Sequence, residues 1–241
     1  MNVDELNFLL DKVDTVLKSK DEIRAALLVK ELEKVLPVIE NKDTLNYINS
    51  YIAQLLVVMK KDEESLSYFE ALIKQDKSYK FNYMGTLEKA LCFMRLGRKA
   101  EGASILTNVF SLAKAHEDYE GAGNAARFIS IYYYEQDDYD KALLYLNEVV
   151  YYAKRIHNKS MESESLYRIG CIHLFQENYY IAIDFFRESE NLAVDCGNLF
   201  LIYQAAVKRC YVYLKLDKVD QVKDIIENLT ALNEPNKVYK K

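Results

Sequence analysis

Asn178-Tyr179-Tyr180-Ile181-Ala182-Ile183-Asp184-Phe185-Phe186 decides the fold, because the chain writes it again at a fixed distance. Forty residues earlier stands Asp138-Tyr139-Asp140-Lys141-Ala142-Leu143-Leu144-Tyr145-Leu146. Forty residues later the pattern returns as Asp217-Lys218-Val219-Asp220-Gln221-Val222-Lys223-Asp224-Ile225-Ile226. The small or β-branched anchors fall at Ser65, Ala103, Ala142, Ala182 and Val222. A fixed period of this size describes stacked helical hairpins, none of which buries its apolar face alone.

Working outward, apolar residues at three- and four-residue spacing place inner helices near residues 44–60, 79–96, 119–136, 160–176 and 199–216. Outer helices fall near residues 62–75, 99–116, 139–156, 179–196 and 219–233. Connections of two or three residues make neighbours antiparallel. The expected fold is all-α, a right-handed superhelical solenoid of tandem antiparallel helical hairpins. Seven Gly and two Pro in 241 residues supply too little turn chemistry for an all-β fold.

Ahead of the repeats, Leu6, Leu9, Leu10, Val13 and Leu17 mark a first helix. Ser19-Lys20-Asp21-Glu22 has the spacing of a capping box, with Ser19 as the cap. A second helix follows, with Ile23, Leu27, Leu28, Leu32 and Val35 expected inward, and Pro37 ends or kinks it. Asp43 is the expected cap of the third. The division read from the sequence is a helical cap (1–42), a repeat domain (43–233) and a flexible C-terminal tail (234–241).

Half of the residues are apolar and 29% are charged, which is a globular composition. The net charge of −5 lacks the basic excess usual in nucleic-acid binders. The N-terminus has no apolar signal segment, and no apolar run approaches the roughly 18 residues of a membrane span. Cys92, Cys171, Cys196 and Cys210 form no C-x-x-C pair, in keeping with reduced thiols and a cytoplasmic setting. The expectation is a chain without nucleic-acid or membrane partners.

The repeat resembles the tetratricopeptide repeat family, whose pattern is W-x2-L-G-x2-Y followed by A-x3-F. One copy here reads Leu166-x2-Ile169-Gly170-x2-His173, then Ala182-x3-Phe186. The copy before reads Ala126-x2-Ile129-Ser130-x2-Tyr133, then Ala142-x3-Leu146. An earlier one reads Leu87-x2-Ala90-Leu91-x2-Met94, then Ala103-x3-Thr107. The chain departs from the pattern in having no Trp, no Pro closing each unit, and a period of 40 instead of 34 residues. Longer helices of this kind look like those of peptide-sensing regulators of Gram-positive bacteria and of adaptors with extended repeats. The resemblance implies a non-catalytic scaffold or regulator that binds a protein or peptide in the groove lined by its inner helices.

Counting from the anchors, groove positions are Glu88, Cys92 and Arg95, then Asn124, Arg127, Ile131 and Tyr134. Glu164, Tyr167, Cys171 and Leu174 follow, and then Gln204, Val207 and Tyr211. Arg95, Asn124, Arg127, Tyr134, Tyr167, Gln204 and Tyr211 are the candidate ligand-binding residues, since Tyr, Arg and Asn over an apolar floor suit an extended peptide. Some tetratricopeptide domains clamp a chaperone's C-terminal carboxylate with Lys/Asn/Lys. Arg127, Ile131, Tyr167 and Cys171 stand at those positions, so that ligand is not implied.

No catalytic constellation is readable. His116, His157 and His173 belong to no metal-ligand spacing, and the Gly121-Ala122-Gly123 run follows no strand and precedes no G-K-[ST]. The carboxylate clusters at Asp62 to Glu64 and Asp137 to Asp140, with Glu162 and Glu164, sit at helix starts, where they suit the dipole. The sequence therefore assigns no catalytic residue, metal or cofactor. A second reading is an oligomerisation module, a homo-oligomer formed through Val222, Ile225, Ile226 and Leu229 of the last helix.

Overall fold

The computed structural model describes residues 3–75 and 78–232. The expected tail lies outside them. Among the described residues there are twelve α-helices and no strand. They are α1 (Val3–Ser19), α2 (Glu22–Val35), α3 (Lys42–Val58), α4 (Asp62–Gln75), α5 (Tyr79–Arg95) and α6 (Lys99–Ala115). Then come α7 (Tyr119–Glu135), α8 (Tyr139–Arg155), α9 (Lys159–Phe175), α10 (Tyr179–Asp195), α11 (Leu199–Lys215) and α12 (Val219–Leu232). The chain forms two compact units, residues 1–116 with α1 to α6 and residues 117–241 with α7 to α12. In each unit, helices adjacent in sequence pack on one another.

The forty-residue period has a simple geometric origin. Helices α5 to α11 are each 17 residues long. Three residues join each to the next, so one hairpin and its connections fill the period. In the turn after α7, Asp137 takes the left-handed conformation (φ 57°). Its N–H donates to the Tyr134 carbonyl, and the N–H of Asp138 donates to that of Tyr133. This is the Schellman arrangement, which satisfies two carbonyls that the helix end would otherwise strand. Asp138 also starts the next helix, its Oδ1 accepting from the Lys141 N–H at 3.2 Å. The same left-handed residue recurs at Lys60, Gly97, His157, Glu177, Gly197 and Asp217. The third residue of the turn caps through its side chain again at Asn158 and Asn198.

In the first unit, Leu9, Val13 and Val16 of α1, Ala25, Leu28, Val29 and Leu32 of α2, and Ile48, Ile52 and Leu55 of α3 share one core. Three expectations need correction here. Ser19 does not cap α2: it is still helical and its Oγ donates to the Val16 carbonyl at 3.3 Å. The chain turns on Lys20 (φ 53°), and Asp21 caps α2 by accepting from the N–H groups of Ile23 and Arg24. Ile23 and Leu27 are exposed; the buried stripe of α2 runs one register away, through Ala25, Leu28, Val29 and Leu32. Asn41, not Asp43, caps α3 by accepting from the Thr44 N–H at 2.9 Å. Pro37 does end α2, in a short 3-10 turn at Leu36–Val38.

The second unit is packed through small residues. Ala122, Ala125, Ala126, Ala142, Ala182, Ala205 and Ala206 are fully buried. Between α9 and α10, Ser163 Oγ donates to the Ser189 carbonyl (2.6 Å) while Ser189 Oγ donates to that of Ser163 (2.8 Å). Phe186 fills the space that Gly170 leaves open: a Cβ on Gly170 would stand 2.8 Å from the ring. Among the described residues of this unit the most buried ion pair joins α10 to α11, with Arg209 Nη1 donating to Glu190 Oε2. Burial raises the Glu190 carboxyl above its usual range while Arg209 pulls it down.

Candidate functional site

In the second unit, α7, α9 and α11 together open a groove of about 630 Å³, nearly twice the volume of the cleft of about 340 Å³ between α1 and α2. Tyr134 and Ile131 of α7, Tyr167, Cys171 and Leu174 of α9, and Tyr211 of α11 line it. These residues recur because the period carries one helical face from repeat to repeat. Tyr134, Tyr167 and Tyr211 are thus brought together. Asn124 and Arg127 on α7 and Gln204 on α11 are not among its lining residues. Arg95 belongs to the first unit, where its Nε donates to Asp62 Oδ1 (2.7 Å) and its Nη2 to Cys92 Sγ (3.1 Å). Cys92, expected to face a groove, is fully buried instead, and burial pushes its thiol up to about 11.

The groove also holds cations that counting from the anchors leaves out: Arg168 of α9 and Lys208 and Lys215 of α11. Arg168 and Lys208 stand forty residues apart, one register position beyond Tyr167 and Val207. Their long side chains reach back over the apolar floor. Arg168 donates to Glu164 Oε1 at 2.8 Å. Lys215 Nζ lies 5.6 Å from the centre of the Tyr211 ring. Lys208 makes no ion pair among the described residues. Against these three stands one lining carboxylate, Glu177.

Burial, followed by the neighbouring Cys171, raises the Tyr167 hydroxyl well above its ordinary value, and burial raises that of Tyr134. Both therefore remain hydrogen-bond donors at neutral pH. The Cys171 thiol is raised by burial, with the Tyr167 hydrogen bond, Lys208 and Arg168 pulling the other way, so it stays a thiol. The neutral sulfur and the two neutral hydroxyls line the groove side by side. Tyr167 is braced from below by Phe186, with ring centres 5.6 Å apart. Tyr134 is braced edge-on by Tyr139 at 5.7 Å.

The histidines fill structural positions. His116 stacks on Tyr79 at 4.2 Å, His157 takes the left-handed turn position after α8, and His173 stacks on Phe185 at 5.5 Å. Burial holds the His173 imidazole below its usual pKa. Among the described residues no three His, Cys, Asp or Glu side chains converge as metal ligands would. None of the described helices is long and apolar enough to cross a membrane. On α12, Ile225 is buried and Val222 and Leu229 pack on the same core, leaving Ile226 exposed.

No family model and no curated protein matches the sequence. Solved structures do match. A signal transduction ATPase with numerous domains from Pyrococcus horikoshii, which carries a tetratricopeptide repeat sensor, superposes with a TM-score of 0.75 at 14% identity. That match covers 88% of this chain and 34% of the other. BtubC from P. vanneervenii gives 0.69 at 11% identity over 95% of both chains. The apo form of RapI gives 0.69 at 14% identity over 92% of this chain and 94% of that one. The fold is therefore tetratricopeptide-like, as the repeat implies.

Proposed function

We propose that this chain is a non-catalytic regulator that holds a protein or peptide partner in the groove of α7, α9 and α11. The observation that carries the reading is the convergence of Tyr134, Tyr167 and Tyr211 on one groove with Arg168, Lys208 and Lys215. Braced aromatic rings lose little freedom when a ligand covers them, and the cations fix its orientation. Asn124, Arg127 and Gln204 extend the binding surface along α7 and α11. Residues 1–42 act as the cap of the repeats at 43–233. The acidic net charge and four free cysteines fit a cytoplasmic protein partner better than nucleic acid.

The test is a pull-down from the native cytosol with the parent chain, Tyr167→Ala and Lys208→Glu. Partners retained by the parent should be lost from both variants and kept by Ile23→Ser, which alters an exposed residue of the first unit. If both groove variants retain every partner, the groove is not the binding surface. Self-association through α12 is the competing reading; light scattering from a strict monomer removes it.

A further inference from the structure

Helix α11 carries an apolar seam that nothing covers among the described residues. Phe200, Gln204, Val207, Tyr211 and Leu214 follow one another at alternating steps of four and three, the spacing of a helix–helix seam. Phe200 is 71% exposed, Val207 60%, Tyr211 49% and Leu214 54%. One period earlier, on α9, the matching positions are Tyr167, Cys171 and Leu174, and these pack on a core that includes Ala205, Ala206 and Val212 of α11. So α11 covers the seam of α9, while its own seam, ~21 Å long at the rise of an α-helix, is open. Lys208 and Lys215 run along one flank of it, two turns apart, and both reach the groove.

We propose that this seam receives an amphipathic α-helix of a partner protein, one with apolar residues at three- and four-residue spacing and acidic residues on the flank that meets Lys208 and Lys215. The inference rests on the groove being a protein-binding site, and adds the partner's conformation and charge. Charge complementarity selects the occupant. A second copy of the helix packed antiparallel across a two-fold axis would lay the same lysine flank against itself. The chain's own residues 233–241 carry Lys237, Lys240 and Lys241 against Glu234 alone, with no apolar seam. An acidic helix satisfies both the apolar ledge and the two cations.

The test uses the purified full chain and a displayed library of 21-residue segments. Seam positions are randomised among apolar residues and flanks are fixed as Glu or as Lys; a third set carries Pro at the centre. Glu-flanked segments should enrich, and calorimetry should show them weakened at least tenfold by Lys208→Glu with Lys215→Glu. That double variant should then prefer Lys-flanked segments, and Val207→Glu, an exposed change that leaves the circular dichroism intact, should abolish binding. Equal enrichment of Lys-flanked segments, or failure of any set to enrich, overturns the proposal. Enrichment of Pro-interrupted segments that depend on Tyr167 overturns the helical partner and leaves peptide binding standing. A parent dimer that Val207→Glu dissociates overturns it in favour of a second copy.

Discussion

Replacing Gly170 by Ala tests the close approach on which the second unit is built. In the middle of a helix the change should by itself stabilise by about 1 kcal/mol, since Gly is the poorer helix former. The structure opposes that gain. The new Cβ would stand 2.8 Å from Phe186 Cε1, 2.9 Å from Cδ1 and 3.3 Å from Phe185 Cβ. Phe186 is fully buried and cannot swing into solvent. Overpacking of this kind costs about 1–3 kcal/mol, so the variant should lose roughly 1 kcal/mol net. The displaced ring lies under Tyr167, so partner binding should weaken as well. Phe186→Leu removes the obstacle; in that background Gly170→Ala should recover the helix-propensity gain. The assay is urea denaturation followed by circular dichroism over the four-member cycle, with an expected coupling of about 1–3 kcal/mol. If Gly170→Ala raises the midpoint equally in both backgrounds, the glycine is not there to admit the ring.

Three further predictions follow from the same packing. Arg209→Met leaves Glu190 buried (3% exposed, against 14% for Arg209) without its partner and should cost about 3–5 kcal/mol, while adding Glu190→Leu should recover most of it; equal midpoints for single and double variants would contradict this. His157→Gly and Asp217→Gly relieve exposed left-handed residues and should each raise the free energy of unfolding by about 0.5–1 kcal/mol, read as a higher urea midpoint, a fall in midpoint showing that those side chains hold the turn. The folded-state pKa of His173 is depressed by burial, so the unfolded chain binds the proton more readily. Stability from this group is present above the unfolded value of about 6.5 and is lost as pH falls through it; His173→Phe should flatten that part of the stability profile.

The architecture was legible because two levels of signal agreed. Ala103, Ala142 and Ala182 recur where helices meet, and the turns between them are short enough to leave one arrangement. Where the signals were degenerate, reading failed. In α2 the stripe through Ile23 and Leu27 and the stripe through Ala25, Leu28 and Val29 are both apolar at helical spacing, and only the neighbours α1 and α3 choose between them. Ser19 and Asp21 are both good caps two residues apart; the turn at Lys20 decides for Asp21. In the groove, Tyr134, Tyr167 and Tyr211 followed from the period. Arg168, Lys208 and Lys215 did not, because a register count tracks Cβ directions while these side chains end several bonds away. Their forty- and seven-residue separations were the available signal.

The left-handed turn has a consequence for how such a protein changes over time. Its geometry is written in main-chain bonds, and it accepts Lys, Glu, Asp or His as well as Gly. The joints of the molecule therefore ask little of the genetic text. Mutation is free to rewrite the outward faces while the spacing of the rungs stays put.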